Sequence, residues 1–436
     1  MIRGIGKRLK GAPLALLIRL AGRGLTLVMV VVLARELGIE EFGIYSYATT
    51  WVAVLLGISG LGYGSVLLRS TAIFRSIERP DLLAEIVARA QKTVVTLALV
   101  LSVLAAIGAA VFVDPVFLAT LLLVLPVVAV RAFSLIWSGV LQGLGHIEES
   151  FLPTFVVYPV LMLLGVGLLV GVNGSITSEE AVLLYSASFL LGAVIVWRIA
   201  RVRLKPVLAK DPSKREAEEW HASGLAPFTA ITLLASIQGG VGILLLGIFG
   251  LPDAIGELQV AIKLIEPMVM IYVVVNLALA PRVAARFAQG DLLELQPDIS
   301  RNVRVSFIAA IPIGAAIILA REPLLGLFGS GFEAAATPLV ILVGAALFGV
   351  MTGAASPSLM MSKHWTPALV ATGAGLLLNL VLCALLIPPL GATGAAIGFA
   401  VSILVSNSVM SVMAWKLLGL NTTVIPIRSA VAGGES

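Results

Sequence analysis

The sequence predicts an all-α integral membrane protein of about twelve transmembrane helices, and three observations carry that prediction. Hydrophobic residues make up 59% of the 436 residues and charged residues only 12%, against roughly 25% charged in soluble domains. The mean hydropathy is +1.07. The apolar residues are gathered into runs of about 20, the length an α-helix needs to cross the hydrocarbon core.

Breaking the chain at charges and at Gly, Pro and Asn turns gives segments 12–34, 44–68, 93–113, 116–140, 151–172, 180–200, 223–249, 256–280, 303–320, 336–360, 366–387 and 393–415. They are too long, and too poor in alternation, for strands of a lipid-facing barrel. The first follows a basic start, Arg3, Lys7, Arg8 and Lys10, without a small-residue cleavage pattern after Leu33, and reads as an uncleaved helix. The second is glycine-rich, with Gly57, Gly60, Gly62 and Gly64, residues that permit close helix approach or flexure. Pro126, Pro159, Pro267, Pro312 and Pro357 mark tolerated kinks.

Placing the amino terminus in the cytoplasm assigns Arg69, Arg75, Arg79, Arg89, Lys92 and the basic residues of the linker to inner loops, and only Arg35 and Arg321 to outer ones. That positive-inside asymmetry puts both termini inside. The longest break, around Pro206 and Pro212, separates two six-helix lobes, 1–200 and 223–417, by a cytoplasmic linker 201–222, with 418–436 as a cytoplasmic tail. LGIEEFGIYSYA (37–48) and FGLPDAIGELQVA (249–261) share a Gly, an acidic turn, a second Gly and an Ala. With six helices per copy the lobes are parallel repeats.

Several function classes drop out. The single Cys383 allows no intrachain disulfide, and His146, His221 and His364 stand in separate loops, so no metal site is expected. No phosphate-cradling loop is present, no cofactor is called for, and no outer segment carries an enzyme's catalytic set. The net charge of +5 fits attraction to an anionic inner leaflet without invoking nucleic acid.

The informative residues are the charges inside apolar segments. A guanidinium at mid-membrane costs about 2.5–3.5 kcal/mol on insertion scales. Arg19 and Arg23 are one turn apart on a shared face of the first segment, Arg23 roughly 15 Å beyond Pro13 at 1.5 Å per residue. They either line a wet cavity or snorkel to the inner headgroups. Arg131 has the same two readings. Lys263 and Glu266, at i and i+3 just before Pro267, are either a mutually neutralising pair or an ion-coupling site with Glu266 taking a proton or sodium ion. Four cations against one anion, with no Asp or Glu in the interiors of the first six segments, suit a diphosphate, because guanidinium binds phosphate oxygens through paired hydrogen bonds. A drug exporter for organic cations requires the opposite sign. Gln238, Asn276, Asn379 and Asn407 are intramembrane polar groups that bind sugar hydroxyls or bond between helices.

LARELGIEEFGIYSYA (33–48) and GISGLGYGSVLLR (57–69), then QVAIKLIEP (259–267), LAPRVAARFAQGD (279–291), LLGLFGSGFEAAATPLVIL (324–342) and IPPLGATGAAIG (387–398), resemble the polysaccharide flippases of the superfamily that also holds lipid II flippases and multidrug exporters. The resemblance implies a two-lobed bundle in the cell membrane that flips a lipid-linked oligosaccharide, a polyprenyl pyrophosphate sugar, to the outer leaflet by alternating access. It places helix-one arginines in the central cavity and implies glycosyltransferases and a polysaccharide polymerase as partners. A cation-coupled multidrug exporter of the same superfamily is the alternative.

Overall fold

The computed structural model describes residues 11–76, 80–204, 226–289, 295–361 and 365–425. The basic start, the linker from 205 to 225, the tail beyond 425, His221 and His364 lie outside them. The described residues are helical almost throughout and contain no strand.

In chain order the α-helices are α1 (Gly11–Gly60), α2 (Tyr63–Ser76), α3 (Pro80–Phe112), α4 (Pro115–Val124), α5 (Val127–Gly143), α6 (Ile147–Leu152), α7 (Tyr158–Asn173), α8 (Ser178–Leu204), α9 (Ala226–Ile248), α10 (Pro252–Gln289), α11 (Gln296–Leu319), α12 (Arg321–Gly326), α13 (Ala336–Thr352), α14 (Ala355–Met361), α15 (Trp365–Leu390) and α16 (Ala392–Leu418). A π turn, Pro153–Val157, joins α6 to α7, and a 3₁₀ turn, Phe332–Ala335, precedes α13.

Among the described residues seven helical stretches are long and apolar enough to span a membrane, and α4 with α5, bent by 40° at Leu125–Pro126, makes an eighth. Between 17% and 39% of an 18-residue apolar stretch within each of the seven is buried. Much of the apolar surface therefore faces outward, as a lipid solvent requires. Helix α3 shows the pattern: Val103, Leu104, Ile107, Val111 and Phe112 are each at least 58% exposed.

The first segment and most of the second lie in a run of two helices, Gly11–Gly60, joined across a kink. It turns at Gly38, φ 75° and ψ 173°, a conformation open only to glycine. Just beyond, the Glu41 carboxylate accepts from the Ser178 backbone N–H at 2.7 Å, placing an anion at the positive end of α8. The expected second segment, 44–68, is not continuous: it breaks at Leu61 and Gly62, φ 42° and 67°. Pro126 likewise sits at the break of the fourth, and the tenth breaks between Thr352 and Ala355.

The chain divides into two compact units, Met1–Ser236 and Ile237–Ser436, the boundary falling inside α9. In the first, α2 packs on α5, and α5 on α3 and α8. The α2–α5 seam has no room for side chains at Gly139, where a methyl group would lie 2.7 Å from the Gly64 carbonyl oxygen. Gly60 and Gly64 both abut Leu135, so these glycines serve packing, while Gly62 serves the turn. In the second unit α15 packs along α16, α16 on α13, and α13 on α10 and α11.

Candidate functional site

In the first unit the intramembrane arginines rest on aromatic rings. The Arg19 guanidinium lies over Phe151, 4.5 Å from the ring centre, and Arg23 over Phe155 at 5.6 Å. Gly22, between them, lets α1 approach: a methyl there would come 2.5 Å from Phe155 Cβ and 2.7 Å from its carbonyl oxygen. Phe155 belongs to the π turn, a local widening frequent at functional positions. Arg19 is half-buried and Arg23 exposed.

Arg131 reaches a second aromatic group. Its Nη1 donates to Tyr185 Oη at 2.7 Å, and its guanidinium lies 4.5 Å above Phe189. Tyr158 stacks on Phe189 at 4.6 Å and meets the edge of Tyr185 at 5.5 Å. Tyr45 completes the cluster, 6.2 Å from Tyr185, with its hydroxyl 3.4 Å from that of Tyr158. Tyr45 and Tyr185 are buried. Among the described residues neither Arg19 nor Arg131 has a carboxylate within ion-pair distance. Cation–π contact stands in its place, contributing about 0.5–2 kcal/mol depending on desolvation.

The residue pattern singled out the arginines but not their partners Phe151, Phe155, Tyr158, Tyr185 and Phe189. The available signal was spacing: Phe151 and Phe155, like Tyr185 and Phe189, stand at i and i+4, one face of a helix turn apart.

The second unit is organised otherwise. Lys263 Nζ donates to Glu266 Oε1 at 2.6 Å, the two side chains 22% and 29% exposed. Gln238 Nε2 donates to Ser402 Oγ at 2.5 Å, Asn379 Nδ2 to the Gln238 carbonyl at 3.2 Å, and Cys383 Sγ to Asn379 Oδ1 at 3.2 Å. Gln238 and Asn379 thus bond between helices; the Asn276 side chain lies outside the described residues. No cluster of metal-binding side chains occurs among the described residues.

Helices bent at Gly and Pro and apolar on their outward faces define a multi-pass membrane protein. Residues 9–286 match the model of the family described as polysaccharide biosynthesis protein, and residues 227–385 match that of the MatE family. The chain belongs to the polysaccharide biosynthesis protein family, within the multidrug/oligosaccharidyl-lipid/polysaccharide exporter superfamily. It is 23% identical over 234 residues to the probable low-salt glycan biosynthesis flippase Agl15 of Haloferax volcanii, covering 52% of this chain and 48% of that one. The match therefore spans about half the length of the relative.

Solved structures agree on the fold. The lipid II flippase MurJ, in an inward closed conformation, aligns with a TM-score of 0.71 at 14% identity over 92% of this chain and 87% of its own. An inward-facing multidrug resistance MATE family transporter aligns with a TM-score of 0.67 at 16% identity over 90% and 96%. A superfamily transporter from Pyrococcus furiosus, reported with a binding pocket of reverse polarity, aligns with a TM-score of 0.59 at 13% identity over 90% and 92%. The expected all-helical, two-lobed fold is therefore found.

Proposed function

We propose that the protein is a flippase moving a lipid-linked oligosaccharide, a polyprenyl diphosphate sugar, from the inner to the outer leaflet of the cell membrane by alternating access. The observation that carries this reading is the set of guanidiniums in the first unit, two of which, Arg19 and Arg131, meet aromatic faces with no carboxylate among the described residues. An uncompensated cation in low dielectric attracts an anion strongly, and the guanidinium edge matches phosphate oxygens. Arg19 and Arg23 take the diphosphate, Arg131 an adjacent anionic or hydroxyl-bearing part of the headgroup, and the lipid tail stays in the bilayer. The Agl15 relative supports a glycan-lipid cargo.

In this reading both termini are cytoplasmic and no covalent step occurs. An anionic headgroup leaving an inside-negative cell moves downhill by about 2.3 kcal/mol per charge per 100 mV. Lys263 and Glu266 act as the gating pair of the second unit, and glycosyltransferases and a polymerase supply and consume the cargo. The fold shared with MATE family transporters fits a second reading, a cation-coupled multidrug exporter of the same superfamily.

Reconstitution in proteoliposomes separates the two. Turnover of a fluorescent polyprenyl diphosphate sugar is expected to fall about tenfold or more in Arg19→Ala and in Arg23→Ala, the loss of a charge-assisted hydrogen bond in each. Unchanged turnover in both variants, or export of a cationic dye indifferent to Arg23, overturns the proposal in favour of the exporter.

A further inference from the structure

The helix-one arginines and their rings form a matched ladder. Arg19 and Arg23 are four residues apart, and so are Phe151 and Phe155; each guanidinium covers the ring at its own level. The two rings meet edge to face, 5.6 Å apart at 89°, so each limits the rotation of the other. Gly22 fixes the register, because no side chain fits between α1 and Phe155. Arg131 on Phe189 repeats the arrangement elsewhere in the unit.

A ring under a guanidinium does more than fill space. A guanidinium that turns its flat side to a ring keeps its in-plane N–H edge for a bidentate acceptor. The Arg19 Nε is buried and has no hydrogen-bond partner among the described residues, so donor capacity exists that the described protein groups do not use. A flexible arginine would surrender side-chain entropy on meeting a ligand; a stacked one has already surrendered it.

We propose that Phe151 and Phe155 are positioning residues: they hold the Arg19 and Arg23 guanidiniums in place, so that the site selects an anion that presents two oxygens side by side, such as a phosphate of a lipid diphosphate. The inference rests on the diphosphate reading above and adds to it the groups that set the geometry. A leucine of similar bulk at either position packs against helix one but leaves the cation free to rotate.

The test replaces Phe151 in the full-length protein with 4-fluoro- and then trifluorophenylalanine, which keep ring shape while draining the negative potential of the face. Affinity of the detergent-purified protein for geranylgeranyl diphosphate is measured, with geranylgeraniol as the neutral control. Diphosphate affinity is expected to fall stepwise, about three- to tenfold in total for a partly desolvated cation–π contact, with the alcohol unaffected. In an Arg19→Ala background the fluorination series is expected to be flat, as coupling through one pair demands. A flat series in the parent, with Arg19→Ala still weakening binding, overturns the positioning role and leaves the flippase reading standing. A parent that binds the diphosphate no better than the alcohol removes both.

Discussion

The two units treat intramembrane charge in opposite ways. In the second, Lys263 has its counter-charge 2.6 Å away on the same helix, and Gln238, Asn379 and Ser402 are buried and joined by hydrogen bonds. In the first, Arg19 and Arg131 face aromatic rings and no carboxylate among the described residues. A charge that is neutralised internally contributes to structure; one that is merely cushioned remains available to an external anion. In the proposed reading the second unit has the more self-contained polar interior and the first supplies the cations that meet the ligand.

The sharpest way to break that comparison is to remove one charge from each unit and follow thermal unfolding of the purified protein. Glu266→Leu strands the Lys263 ammonium and is expected to destabilise by about 2–3 kcal/mol, the insertion cost of a lone cation. Adding Lys263→Met to that variant is expected to recover most of the loss. Arg131→Met strands no charge and removes a costly one, so the melting temperature is expected to hold or rise while transport falls, a trade common at functional positions. Equal destabilisation by Glu266→Leu and Arg131→Met would mean that Arg131 is structural and would erase the contrast.

Which parts of this picture were legible in the residues follows from the energies involved. Helix positions were readable because a bilayer demands long apolar runs, and Arg19, Arg23, Arg131, Lys263 and Glu266 stood out because charge in such runs is costly. The Lys263–Glu266 contact was readable too, since i and i+3 are neighbours on any helix. The break at Leu61–Gly62 was not, because an apolar glycine run fits a packed helix as well as a turn; of the four glycines only Gly62 departs, with φ 67°, beside Leu61 at φ 42°. The aromatic partners were hidden for a similar reason. Phe151, Phe155 and Phe189 sit in apolar helices where a ring facing lipid and a ring under a guanidinium look alike, and the pairings join residues more than 50 positions apart.

A smaller effect sharpens the description of the second unit. Asn379→Leu removes a donor to the Gln238 carbonyl and the acceptor of the Cys383 thiol. Interhelical side-chain hydrogen bonds in membranes contribute about 0.6 kcal/mol on average and up to about 1.7, and Asn379, fully buried, makes one such bond, to Gln238, beside the contact from Cys383 within its own helix. A loss of about 1–2 kcal/mol in thermal unfolding is expected, with turnover per folded molecule retained. Loss of turnover at undiminished stability would instead place Asn379 on the cargo path and give the second unit a ligand-facing role.

The smallest expected effect lies in the aromatic cluster. The Tyr45 and Tyr158 hydroxyls are 3.4 Å apart, beyond the usual O–H···O range of about 2.5–3.0 Å, so this contact is weak, whereas the ring packing of Tyr45 against Tyr185 is independent of the hydroxyl. Tyr45→Phe is therefore expected to change stability by less than about 0.5 kcal/mol, below the typical worth of one hydrogen bond. Tyr185→Phe is the informative contrast, because it removes the 2.7 Å acceptor of Arg131 while keeping the ring. If Tyr185→Phe lowers turnover and Tyr45→Phe does not, the cluster orients Arg131 through Tyr185. Equal and measurable losses in both would make the three tyrosines one hydroxyl network, and Arg131 only one of its members.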